Sequence, residues 1–127
     1  MKHVVLDATA VLALLQGERG ADRVEAALHG AVIGAVNLAE VVGKLAEAGM
    51  SEEAVHMTLG SLELEVVPFD EDLAFRAGLL RLRTRSYGLS LGDRACLALA
   101  QRLGKPALTA DRAWATLKLG IETDLIR

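Results

Sequence analysis

Short runs of Val, Ile and Leu alternate with longer stretches of helical period along this chain, and that alternation constrains the fold more than any other feature. The short runs at 3–6, 31–33, 64–67, 107–109 and 121–126 are the strand candidates. Between them the spacing predicts helices over 9–16, 20–29, 37–48, 51–61, 71–85, 91–103 and 112–118. Two follow the second strand and two more the third. This is the pattern of an α/β fold with a parallel sheet covered by helices. No repeat, low-complexity tract or linker divides it, and only Pro68 and Pro106 punctuate it, so residues 1–127 read as one domain. A chain of 127 residues buries enough surface to fold without disulfides or a structural metal. Its single Cys96 cannot staple anything and points to a reducing, cytoplasmic setting. Asp7 interrupts the apolar amino-terminal run, and the stretch 8–15 is too short to span a bilayer and has no evident cleavage site after it, so neither a signal peptide nor a membrane anchor is expected there.

The net charge of −3 conceals an asymmetry. Residues 1–75 hold 4 basic and 13 acidic residues, net −9, whereas residues 76–112 hold 8 basic residues and 2 acids, net +6. A basic segment of that density could contact phosphates or be a solvated helix face. With only Trp114, Tyr87, Phe69 and Phe75 as aromatics, recognition by stacking bases on an aromatic platform is disfavoured.

In open α/β sheets, ligands gather outside the carboxyl ends of the strands. Asp7 directly follows the first predicted strand and Asp111 lies two residues past the fourth, so both project from that rim. Each also suits a helix N-cap. Glu40 stands three residues after Asn37, the spacing of a capping box with Asn37 as the cap. The helical wheel sets Asn37, Glu40, Lys44 and Glu47 opposite Leu38, Val41, Val42 and Leu45. Ser90 and Asp93 have capping-box spacing too, yet continuing that helix puts Asp93 on the stripe of Cys96, Leu97 and Ala100, with Arg94, Gln101 and Arg102 on the other face. An inward carboxylate needs a hydrogen bond, a cation or a metal. Four acids in one cleft would raise one another's pKa unless a cation joined them, and oxygen ligands without His or Cys select magnesium or manganese over zinc. His3, His29 and His56 are scattered and show no ligand spacing.

The segments Val5-Leu6-Asp7-Ala8-Thr9-Ala10, Asn37-Leu38-Ala39-Glu40-Val41, Leu89-Ser90-Leu91-Gly92-Asp93 and Leu108-Thr109-Ala110-Asp111-Arg112 resemble, in order, the motifs of PIN-domain ribonucleases. More closely, the chain is similar to the VapC toxins of type II toxin–antitoxin pairs, over essentially its whole length and including Val67-Pro68-Phe69-Asp70. The resemblance implies a three-layer α/β/α sandwich with a parallel sheet and a Mg²⁺-dependent endoribonuclease site, with Mn²⁺ as a substitute ion. It implies Asp7, Glu40 and Asp93 as the principal metal-binding acids and Asp111 as the fourth. Thr9 stands where the family usually has Ser, keeping the hydroxyl, and Ser90 and Thr109 match small hydroxyl positions that orient carboxylates or water. Phosphate contacts are expected from Arg94 and Arg112 in the basic segment. The family further implies an RNA substrate, a homodimer and a cognate antitoxin whose carboxy-terminal region blocks the cleft, with helices 37–48 and 51–61 as its candidate seat.

Other classes fit less well. A phosphoryl-acceptor receiver domain would carry paired acids after the first strand, where Asp7 is followed by Ala8, and a Lys after the last central strand, whereas Lys105 precedes it. A HAD-type phosphatase would carry a second Asp at the position of Thr9, and neither glycine-rich phosphate-loop pattern occurs. A catalytically silent PIN-like module that binds RNA or protein is the alternative within the same fold.

Overall fold

The structure, a computed structural model, describes residues 3–127. Five parallel strands form one sheet: β1 (Val5–Leu6), β2 (Val32–Gly34), β3 (Glu65–Val67), β4 (Ala107–Thr109) and β5 (Thr123–Leu125), in the order β3-β2-β1-β4-β5. The helices are α1 (Ala8–Leu15), α2 (Ala21–Ala27), α3 (Ala35–Glu47), α4 (Glu52–Gly60), α5 (Glu71–Thr84) and α6 (Leu91–Leu103). The predicted architecture is therefore present, each strand and the first six helices within a few residues of the expected bounds. The seventh predicted helix, 112–118, is instead a 3₁₀ turn, Arg112–Thr116. Its amides reach back three residues, Trp114 to the Asp111 carbonyl and Leu117 to that of Trp114, and the chain turns extended at Leu117. A second 3₁₀ turn, Arg85–Tyr87, follows α5.

Alternating strand residues feed two cores. Val4, Leu6, Ile33 and Leu108 pack with α1–α4 on one face, while Val5, Val32 and Ala107 pack with α5, α6 and Trp114 on the other. The result is the three-layer α/β/α sandwich. Side-chain caps set the helix starts: Asp7 for α1, Ser51 for α4, Asp70 for α5 and Ser90 for α6. Gly104, at φ 63°, stops α6 in the left-handed conformation that glycine adopts without strain.

The strand order turns at β1. The chain winds outward through β2 and β3, then crosses to β4 and β5 on the other side. The carboxyl ends of β1 and β4, adjacent and parallel, flank that switch point, where open α/β sheets hold their ligands. Asp7, Thr109 and Asp111 lie there. The starts of α3 and α6, which pack on each other, supply the rest of the rim.

Candidate active site

Asp7 is the most enclosed of the four acids. As cap of α1, its Oδ1 accepts from the Ala10 amide at 2.9 Å and the Thr9 hydroxyl at 2.7 Å, while its Oδ2 accepts from the Thr109 hydroxyl. Burial pushes its pKa up from 3.8 to about 6. The Thr109, Thr9 and Ala10 hydrogen bonds oppose the rise, and the charge of Asp93 adds to it. The two expectations for Asp7 hold together: it is both a cap and a carboxylate at the switch point.

Glu40 sits on α3, its Oε1 accepting from Asn37 Nδ2 at 3.0 Å. Burial raises its pKa, the Asn37 bond opposes this, and Asp93 raises it further. Asp93 forms the capping box of α6, accepting from the Ser90 amide at 3.0 Å while the Ser90 hydroxyl accepts from the Asp93 amide at 3.1 Å. It remains close enough to act on both Asp7 and Glu40. Beneath them, the fully buried Cys96 thiol is pushed well above its ordinary pKa, first by burial and then by Asp7, Asp93 and Glu40. Three acids, from the turn after β1, from α3 and from α6, thus share one field. Asp111 joins through its backbone, its amide donating at 3.0 Å to the Thr109 hydroxyl that holds Asp7, while its carboxylate caps the 3₁₀ turn through Ala113. The Ala110 amide donates to the Thr9 hydroxyl at 2.9 Å, tying the two loops together.

Two expectations need correction. Asn37 does not cap α3, because β2 runs straight into the helix with Gly34 as the cap. Asn37 lies inside the first turn, 1% exposed, and donates to Glu40 and to the Gly92 carbonyl rather than facing outward. Arg94, expected at the surface as a phosphate contact, is 8% exposed with its Nη1 donating at 3.0 Å to the Ala77 carbonyl. Helix α5 covers that face of α6, so the guanidinium is turned into the protein. Arg112 is exposed, its Nη1 on the Arg127 carbonyl. Sequence reasoning also missed the part of Gly92. A Cβ there would collide with the Glu40 carboxylate, standing 2.5 Å from Cδ and 2.6 Å from Oε1.

Among the described residues, no group of three or more His, Cys, Asp or Glu side chains is already gathered as a metal cage. The donor set nonetheless suits a hard cation: it is all oxygen, and among the described residues no Lys, Arg or His forms an ion pair with it and no hydrogen bond reaches Glu40 Oε2 or Asp93 Oδ1.

The PIN domain family model matches residues 4–118. No curated protein matches. Among solved structures, the chain is similar to a DNA-bound VapBC from Salmonella typhimurium, with TM-score 0.77, 18% identity and complete coverage of both chains. It is similar to VapBC2 from Rickettsia felis bound to a promoter DNA fragment, with TM-score 0.76, 16% identity and 96% and 97% of the two chains covered. It is also similar to Mycobacterium tuberculosis VapC20, a sarcin-ricin loop cleaving toxin, with TM-score 0.71, 18% identity and 94% and 98% covered.

Proposed function

This chain belongs to the PIN domain family, and from that membership we propose that it is a Mg²⁺-dependent endoribonuclease, the toxin of a type II toxin–antitoxin pair. The observation that carries the reading is the closeness of Asp7, Glu40 and Asp93 at the switch point, with Asp7 buried among neutral donors and none of the three in an ion pair among the described residues. RNA as substrate class draws on the basic segment and on the description of VapC20.

Asp7, Glu40, Asp93 and Asp111 would hold Mg²⁺, or Mn²⁺ in its place. When bound, the ion supplies a water acidified to act near neutral pH and a counter-charge for a phosphodiester under in-line attack. The protein's own residues prepare the place. The Thr9 and Thr109 hydroxyls hold both oxygens of Asp7, and Thr109 ties Asp111 to the same point. Ser90 closes Asp93 onto α6. The Cys96 thiol is buried and held protonated, so it is no nucleophile. Water is left to attack, and Arg112 is the exposed basic residue nearest in sequence to the acids for steering phosphates.

Two surfaces support the partners. A groove of about 560 Å³ between α3 and α4 is lined by Leu38, Val42, Met50, Val55 and Leu59, with Glu52 and Glu63 at hand. Apolar walls and acidic neighbours suit an apolar, basic segment, the antitoxin's carboxy-terminal region. Because Glu40 is also on α3, that segment would end beside the acids. On α5, Phe75, Leu79 and Leu82 are 66%, 69% and 70% exposed, beside a shallow notch at Ala74 and Gly78. An antiparallel second copy would set Leu79 into that notch and Glu71 near the partner's basic end of α5, which suits a homodimer. Leu79→Arg should leave monomers in light scattering but keep antitoxin binding, whereas Val42→Arg should do the reverse. A dimer unaffected by Leu79→Arg would remove that face.

No helix among the described residues is long and apolar enough to cross a membrane. The proposed setting is the cytoplasm, with residues 1–127 acting as a single domain.

The direct test is cleavage of total RNA by the purified chain with Mg²⁺ or Mn²⁺, with EDTA, and with Asp93→Asn, mapping the new ends. Metal-dependent cuts at few sites are expected. Losing a liganding charge worth several kcal/mol should slow Asp93→Asn by on the order of 10³-fold. Undiminished cutting by Asp93→Asn or in EDTA would sink the assignment. A folded chain that binds metal and cuts nothing would be the silent RNA- or protein-binding module.

A further inference from the structure

We propose that Asn37 and Gly92 form a positioning cradle that fixes the Glu40 carboxylate against the start of α6, beside Asp93; the inference rests on the metal-dependent reading above. The Asn37 amide nitrogen uses both hydrogens, one on Glu40 Oε1 and one on the Gly92 carbonyl, each at 3.0 Å. The reverse orientation would set its oxygen against two acceptors, so the amide has one allowed placement. A single side chain therefore joins the acid on α3 to the residue preceding the acid on α6. Gly92 completes the device from below. A Cβ at that position would occupy the space of the Glu40 carboxylate.

Neither residue is explained by stability. Asn37 Oδ1 is buried without a partner, a state that disfavours the fold, and a leucine of similar size would relieve it. Gly92 lies in the first turn of a helix without positive φ, where alanine is the better helix former. Both choices make sense once Glu40 must be held in one place.

The test uses Asn37→Leu and Gly92→Ala in the full chain, with three measurements. Thermal unfolding without metal should show both variants as stable as the wild type or more so. The carbon-13 resonance of the Glu40 carboxyl, followed without metal, should move in both variants while that of Glu122 stays. Calorimetric titration with Mn²⁺ should show affinity weakened about 10- to 100-fold, the range for groups that orient metal ligands. Unmoved Glu40 resonances, or wild-type Mn²⁺ affinity in both variants, would overturn the cradle. A wild-type chain that takes no Mn²⁺ would overturn the metal-dependent reading and, with it, the cradle's purpose; moved resonances would then leave only a packing contact.

Discussion

Two groups of acids in this molecule have opposite surroundings. At the amino terminus of α5, Asp70 caps the helix through the Leu73 amide at 2.9 Å and receives Arg102 Nη1 at 3.0 and 2.9 Å, while Asp72 receives Arg76 Nε at 2.9 Å. The Leu73 bond first, and then Arg102, hold Asp70 below the usual carboxylate range. At the switch point, Asp7 accepts as many hydrogen bonds, three, but all come from neutral donors and the site is buried, so its pKa goes up instead of down. Neutral donors lower both acids, and burial decides the difference: it outweighs the donors at Asp7, while exposed Asp70 keeps the full effect of Leu73 with Arg102 added. The α5 acids carry their cations within the chain, whereas the rim acids form no ion pair among the described residues. Asp7 is thus a buried carboxylate held by neutral donors alone, with no cationic partner among the described residues.

The largest test of that contrast is the pH dependence of stability without metal. A raised folded-state pKa means that the native chain binds the Asp7 proton more tightly than the unfolded chain does. Its favourable contribution is full below about pH 4 and declines as pH rises through about 6. The displacement from 3.8 to about 6 corresponds to roughly 3 kcal/mol. In EDTA, the urea midpoint of the wild type should therefore fall between pH 4.5 and 7.5 relative to that of Asp7→Asn, which should be the more stable protein at pH 7.5. Mn²⁺ should close the gap by stabilising the wild type alone. Parallel profiles for the two proteins would mean that the rim is not under electrostatic load.

The sequence made one half of this contrast readable and hid the other. Asp7 and Asp111 are legible in position because a cap and a rim acid occupy the same place after a strand: each caps the element that follows, past the end of β1 or β4. Asp93 is legible as a capping-box acid, but the expected inward placement is only half met: Asp93 is half-buried while Gly92 and Arg94 to Ala100 are buried. Asn37 was misread because the local spacing to Glu40 imitates a capping box. What decides the matter is that β2 enters α3 without a loop, so the cap falls at Gly34. Arg94 was misread because a two-sided wheel assumes one solvent face, yet α6 is buried continuously from Arg94 to Ala100 between the sheet, α3 and α5. The contact of Glu40 with Gly92 spans more than fifty positions of sequence and has no local signal. The Arg102 pairing with Asp70 and Asp72 is equally long-range, and nothing in the charge count separates it from the unpaired basic residues nearby.

The smaller effect belongs to the α5 acids. Asp70 has a depressed pKa in the folded chain, so its contribution is present above the unfolded value and is lost as pH falls through the folded one, the opposite sign to Asp7. It is exposed, and solvent screens its partner. Arg102→Gln should therefore lower the urea midpoint at pH 7.5 by less than Asp7→Asn raises it, with the loss shrinking in high salt and at low pH. RNA cleavage should be unchanged, because Arg102 pairs with acids outside the rim. Were Arg102→Gln to shift the midpoint as far as Asp7→Asn does, or to slow cleavage, the two acidic regions would be coupled and their separation into a self-neutralised group and a cation-seeking one would fail.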